Sequence, residues 1–289
     1  MSEWTIGIIG GSGLYALEAL EEAQEIAVAT PWGATSAPLV VGRLHGHRFV
    51  FLPRHGRGHA IPPGEVNYRA NIDALKRAGC TDVLALSAIG SLREELPPGR
   101  FVAVDQFVDR TRGRAATFFG SGLVAHVSMA EPVCPRFSGL AAEAAEAAGA
   151  DVSRGGTYLA MEGPQFSTRA ESLLYRQWGC DVIGMTAMPE AKLAREAELP
   201  YALLGMVTDY DCWREDEAGV EAADVLARLA SNAGTARRTL EALARALPER
   251  REAVPADRAL DGALVTPPEA RDPALLAKLD AVAGRVLNR

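Results

Sequence analysis

The sequence predicts an α/β fold in which a central sheet is flanked by helices, and three observations carry that expectation. Short β-rich runs recur along the chain, stretches of helical character separate most of them, and no break in composition divides the halves. With 289 residues, 48% hydrophobic and 23% charged, the chain is long enough to bury a substantial core, and one domain is the simpler organisation.

The predicted strands are Thr5–Ile9, Phe49–Leu52, Asp82–Leu86, Phe101–Val104, Thr157–Met161, Asp181–Met185 and the unbroken apolar run Tyr201–Val207. Helices are expected over Asn67–Ala78, Phe137–Gly149, Arg169–Trp178, Pro189–Ala197 and Ala222–Leu247. The stretch from Glu249 to Asp272, with Pro255, Pro267 and Pro268, reads as an extended arm before a last helix from Pro273 to Leu287.

A net charge of −7 argues against a general binder of nucleic acid or of membrane surfaces, and points to a small-molecule partner. Cys80, Cys134, Cys180 and Cys212 are scattered, with neither zinc-site spacing nor the density of a disulfide scaffold. No apolar stretch approaches the length of a bilayer span, so the expected location is the cytoplasm.

Candidate anion ligands sit just past apparent strand ends. Gly10-Gly11-Ser12-Gly13 follows the first strand, where backbone N–H groups and a hydroxyl can converge on an anion. Pro53-Arg54-His55-Gly56-Arg57-Gly58-His59 closes another, and the planar fork of Arg54 suits an oxyanion. Ser87 and Thr186 follow two more, and four such residues supply about as many donors as one phosphate needs. Gly11 to Ala16 also fits the dinucleotide pattern G-x-G-x-x-A, but the second-strand acidic residue which that reading requires is replaced by a Pro-Gly turn near Gly33. His55 and His59 lie in a Gly-interrupted loop without a carboxylate partner, which is poor metal-ligand geometry; no metal is expected.

The run Tyr201–Val207 leads into Thr208-Asp209-Tyr210-Asp211-Cys212-Trp213. Side chains alternate along extended chain, so Asp209 and Asp211 can point the same way from a strand end, where open α/β sheets collect ligands. Two carboxyl groups suit a heterocycle that offers an exocyclic amine and a ring nitrogen. The local alternative is a turn and helix cap.

Taken together, these motifs closely resemble those of 5′-methylthioadenosine phosphorylases of the trimeric purine nucleoside phosphorylase superfamily. The resemblance runs through Gly7–Gly13, Arg54–Arg57, Val66–Asn71, Gly90–Glu95, Asp105–Arg110, Met161–Ser167 and Thr208–Trp213, most of residues 5 to 245. It implies a single-domain nucleoside phosphorylase fold around a mixed, partly barrel-like sheet, with residues 1–250 as catalytic domain and 251–289 as an arm and helix packed on it. It implies phosphorolysis in purine and methionine salvage, by a homotrimer that uses inorganic phosphate as co-substrate and no cofactor.

By the same resemblance, phosphate is bound by Ser12, Arg54, His55, Ser87, Thr186 and the backbone of Ala88. Phe166, Ser167, Thr208, Asp209 and Asp211 hold the base, with Asp209 at the imidazole-side nitrogen as the catalytic proton carrier and Asp211 at the exocyclic amine. Burial without a cationic neighbour would raise the pKa that this role needs. Met185, His59, Ala222 and Val225 are assigned to the ribose and methylthio group, with His126 reaching in from the neighbouring subunit. Relatives that prefer hypoxanthine and guanine resemble this chain but carry Asn in place of Asp209. Ser12 and Ser87 stand where threonine is found in eukaryotic members, and Ala222 is smaller than the expected valine. The C-terminal helix has two readings, a cover over the 5′ pocket or plain packing. The nearest alternative function is phosphorolysis of methylthioinosine or other 6-oxopurine nucleosides; a more distant one is a non-catalytic nucleoside sensor.

Overall fold

The computed structural model describes residues 3–11, 19–214 and 221–287, and in this last segment not the side chains at 222, 226 and 229. Ser12 and the Ala222 side chain therefore lie outside the described residues. In chain order the elements are β1 (Thr5–Gly10), β2 (Glu21–Ile26), β3 (Leu39–Leu44), β4 (His47–Pro53), α1 (Tyr68–Arg77), β5 (Asp82–Ser91), β6 (Phe101–Ala103), β7 (Gln106–Asp109) and α2 (Pro135–Ala147). There follow β8 (Val152–Arg154), β9 (Thr157–Ala160), α3 (Arg169–Gln177), β10 (Val182–Gly184), α4 (Ala187–Glu196), β11 (Tyr201–Asp209), α5 (Ala222–Ala246), α6 (Pro273–Lys278) and α7 (Asp280–Leu287).

The strands form one mixed sheet, ordered β2-β3-β4-β1-β5-β10-β9-β7, with β11 beside β5 and joined through β6 to β8. Along β11 alternate residues enter two separate cores. Tyr201, Leu203 and Val207 join the side covered by α1, α4 and α7, while Ala202, Leu204 and Met206 join the side covered by α2 and α5. Because both faces are covered, the strand reads as an unbroken apolar run. Helix α1 starts where the Asn67 side chain accepts from the Ala70 amide at 3.1 Å, and it buries Tyr68, Ile72 and Leu75. At α3 a reciprocal box between Thr168 and Glu171 sets the start.

Strand β5 corrects the sequence reading, for it does not end at Leu86. It pairs with β1 through Ala85 and with β10 from Gly90, while β11 follows it along the other edge. Residues 86–89 thus lie where the sheet forks, and Ser87 and Ala88 are mid-strand rather than past its end. The strands β2, β3, β7 and β8 were not expected. Strand β2, Glu-Glu-Ala-Gln-Glu-Ile, is exposed along the sheet edge and has no apolar alternation to announce it. The expected last helix is two, broken at the fully buried Leu279.

The arm is not merely extended. It carries 3₁₀ turns at Pro255–Arg258 and Pro268–Ala270. Arg251, 5% exposed, binds Asp82 at the start of β5 and Asp257. Leu260, Ala263, Leu279, Val282 and Ala283 complete the core beside α1.

Candidate active site

The fork opens into a cavity of about 560 Å³. Of the residues singled out from the sequence, Arg54, His55, His59, Ser87, Ala88, Phe166, Met185, Thr186, Thr208, Asp209, Asp211 and Val225 line it, as does Gly11 beside Ser12. Ser167 stands behind this lining, its carbonyl accepting from Cys212 Sγ at 3.2 Å. His126 lies elsewhere on the surface, its amide donating to the Ala263 carbonyl. Helix α7 packs on α1, and among the described residues nothing beyond Ala233 lines the cavity.

One end of the cavity collects hydroxyls and a guanidinium. Ser87 and Thr186, both buried, stand 3.3 Å apart through their Oγ atoms, and the Thr186 amide donates to Tyr158 Oη at 3.4 Å. A Cβ at Gly184 would come within 2.1 Å of that Tyr158 oxygen, so only glycine admits the contact. Arg54 is 2% exposed and directs Nε and Nη2 at Glu190 (2.9 and 3.1 Å), with Nη1 on the Leu86 carbonyl at 3.3 Å. The fork expected to grip an oxyanion therefore grips Glu190, leaving the remaining N–H groups at the guanidinium's outer end. Tyr201 Oη donates to Glu190 Oε1 at 2.8 Å and completes the support. Burial alone would lower the Arg54 pKa, but the Glu190 carboxylate outweighs it and the net shift is upward.

Beside it, His55 Nδ1 lies 2.9 Å from the Ile61 carbonyl, and its ring stacks on His59 with centroids 4.1 Å apart. Burial and the Arg54 charge push the His55 pKa down to about 4.

The other end holds the carboxyl pair. Thr208 Oγ1 donates to Asp209 Oδ2 at 2.7 Å, and the Asp211 amide donates to Asp209 Oδ1 at 2.8 Å. Alternation along a strand does not bring the pair together: β11 ends at Asp209 after a register shift, and Asp211 turns back with φ +52. The local turn and the shared site are thus the same structure. A Cβ at Gly90 would approach Asp209 Oδ1 to 2.9 Å and Ile183 Cγ2 to 3.0 Å, so glycine makes room for the carboxylate.

Asp211 is 8% exposed, and its Oδ2 is buried without a hydrogen-bond partner. Burial raises its pKa; the Asp209 charge adds to the rise and the Ser172 and Ser167 hydroxyls oppose it. Ser172 Oγ is likewise buried without a hydrogen-bond partner among the described residues. Phe166 is 40% exposed at the rim, and its segment is tied to the carboxyl loop where Arg169 Nε donates to the Cys212 carbonyl at 3.2 Å.

The supporting residues carried no signal in the sequence. Glu190 is 136 positions from Arg54. Arg114 donates to the carbonyls of Met185 (2.7 Å) and Met188 (2.8 Å) and to the Glu162 carboxylate, fixing the chain on either side of Thr186. No motif marks either residue, since only the fold makes them neighbours. Among the described residues, no group of three or more His, Cys, Asp or Glu could hold a metal ion.

A guanidinium with hydroxyls and a carboxyl pair thus face one cavity, and the sequence places the chain in a family: residues 5–245 match the Phosphorylase superfamily, to which the chain belongs. It is 59% identical to the S-methyl-5′-thioadenosine phosphorylase of Bradyrhizobium diazoefficiens over the whole of both chains. It is 60% identical to that of Cereibacter sphaeroides over 98% of each. Among solved structures, it matches a methylthioadenosine phosphorylase from an Antarctic soil metagenomic library with a TM-score of 0.91 at 46% identity, covering 98% of this chain and 99% of that one. The methylthioadenosine phosphorylase of Schistosoma mansoni in complex with adenine matches with a TM-score of 0.80 at 37% identity, over 99% of this chain and all of the other.

Proposed function

We propose that the protein catalyses the phosphorolysis of 5′-methylthioadenosine to adenine and 5-methylthioribose 1-phosphate, as a pentosyltransferase of purine and methionine salvage. The observation that carries the reading is the buried, unpartnered Asp211 Oδ2 at the end of the cavity opposite Arg54. A buried acceptor without a donor costs about 1–3 kcal/mol, and the exocyclic amine of adenine supplies one; a 6-oxo group does not.

In the reaction a phosphate oxygen attacks the anomeric carbon while the bond to the base breaks and its electron pair moves onto the purine. A proton held at Asp209 passes to the imidazole-side nitrogen, and Thr208 keeps that carboxyl in place. Phosphate, held by Arg54, His55, Ser12, Ser87, Thr186 and the Ala88 amide, sits beside the cationic sugar of the transition state. Phe166 and Ser167 cover the base, while Met185, His59, Val225 and Ala222 line the sugar and methylthio end.

The working form in this reading is a cytoplasmic homotrimer in which His126 of one subunit completes the sugar site of the next. Its small-molecule partners are nucleoside and inorganic phosphate, with no further cofactor. Residues 251–289 belong to the catalytic unit as a packed arm. No helix among the described residues is long and apolar enough to cross a membrane.

The test is base release from methylthioadenosine, adenosine and methylthioinosine, each with phosphate present and omitted. Phosphate-dependent adenine release, fastest from methylthioadenosine, is expected. Preference for methylthioinosine would overturn the base-pocket reading, and nucleoside binding without turnover would overturn catalysis.

A further inference from the structure

The role of His55 follows from which of its nitrogens carries the proton. Nδ1 lies 2.9 Å from the Ile61 carbonyl oxygen, an atom that can only accept, so Nδ1 is the protonated nitrogen. The His59 ring, stacked at an interplanar angle of 20°, holds the imidazole in that plane. Nε2 is then the one unused nitrogen; it has no hydrogen-bond partner among the described residues, and its side chain lines the cavity next to Arg54. With the guanidinium of Arg54 beside it and a pKa pushed down to about 4, the ring stays neutral near pH 7 and Nε2 presents a lone pair.

We infer that His55 joins the anion site as a hydrogen-bond acceptor, so that the co-substrate must itself carry a proton: the site takes hydrogen phosphate or hydrogen arsenate, whose hydroxyl donates to Nε2, and disfavours sulfate. The inference rests on the anion end assigned under the proposed function, and it adds the protonation state and orientation of the anion. With its hydroxyl turned to His55, hydrogen phosphate directs only unprotonated oxygens at Arg54, Ser87, Thr186 and the anomeric carbon, so the attacking oxygen is a bare one. Sulfate has the same size and shape but no proton near neutrality. It sets an oxygen lone pair against that of Nε2 and leaves the nitrogen unsatisfied, which corresponds to roughly tenfold to hundredfold weaker binding.

The experiment is calorimetric titration of the nucleoside-free protein at pH 7.5 with phosphate, arsenate and sulfate in turn, on the wild type and on His55→Asn. The Asn amide can still donate to Ile61 but has no atom at the Nε2 position. In the wild type, phosphate and arsenate are expected to bind alike and sulfate at least tenfold more weakly; in the variant that ratio should fall toward one. A long-range proton–nitrogen NMR spectrum of the wild type should show the His55 proton on Nδ1, and this measurement stands even if the variant does not fold. Sulfate binding as tightly as phosphate, a proton on Nε2, or equal losses for all three anions in the variant would each overturn the inference. Base release separates the two claims: phosphate-dependent turnover without discrimination against sulfate removes only the role of His55, whereas no binding of any oxyanion removes the anion end itself.

Discussion

The two ends of the cavity bury charge in opposite ways. At the anion end, Arg54 is matched by a carboxylate that is equally buried, and Glu190 in turn is held by Tyr201. At the base end, the Asp209 and Asp211 carboxyl groups stand close enough for each charge to oppose the other, and the more buried Asp211 keeps one acceptor oxygen without a hydrogen-bond partner among the described residues. A compensated cation keeps its charge and geometry whatever the cavity contains, which suits a ligand that always arrives as an anion. A buried carboxyl oxygen without a donor is costly until one arrives, which suits the amino-purine proposed for this end.

The contrast is most sharply broken at Glu190. Glu190→Gln leaves the buried Arg54 without its countercharge, and a loss of about 3–5 kcal/mol of stability is expected in urea unfolding. A loss below 1 kcal/mol would mean that Arg54 is not held by this pair.

Glu196 asks whether burial without a cation is enough by itself to raise a carboxyl. It lies outside the cavity, 6% exposed, and accepts from Thr117 Oγ1 and the Phe118 amide, both at 2.7 Å. Burial pushes it from 4.5 up to about 7. Between those values the folded protein holds a proton that the unfolded chain has released, so stability should fall as pH rises from about 4.5 to 7, by up to about 3 kcal/mol. Unfolding curves across that range check the slope, and Glu196→Gln should flatten it.

Asp209→Asn probes the base end. The neutral amide should move preference toward inosine-type nucleosides by roughly tenfold to hundredfold in relative kcat/KM, and loss of adenine-nucleoside activity with no relative shift would refute the assignment. The smallest effect is expected from Tyr201→Phe. It removes one hydrogen bond to Glu190 and should cost about 1 kcal/mol of stability, with a modest rise in the KM for phosphate.

Legibility in the sequence followed the range of the physics. Strand β11 was readable because every residue from Tyr201 to Thr208 is buried, and the candidate ligands were readable because hydroxyls, arginine and carboxylates directly after apolar runs are locally unusual. Strand β2 was not, since an exposed polar edge strand has no periodicity of its own. The continuation of β5 through Ser87 was also hidden, because pairing with β10 at Gly90 depends on a partner some ninety positions away. Arg54 was legible as a ligand, but not its engagement with Glu190.

By itself the sequence determined the α/β class and singled out the residue types proposed to face phosphate and purine, Asp209 among them, because these depend on local pattern and side-chain chemistry. Only the tertiary structure decided which of those groups are buried, which are already paired and which keep a free edge. Those properties arise when residues distant in sequence exclude water together, and exclusion of water sets both the protonation of His55 and the unsatisfied oxygen of Asp211.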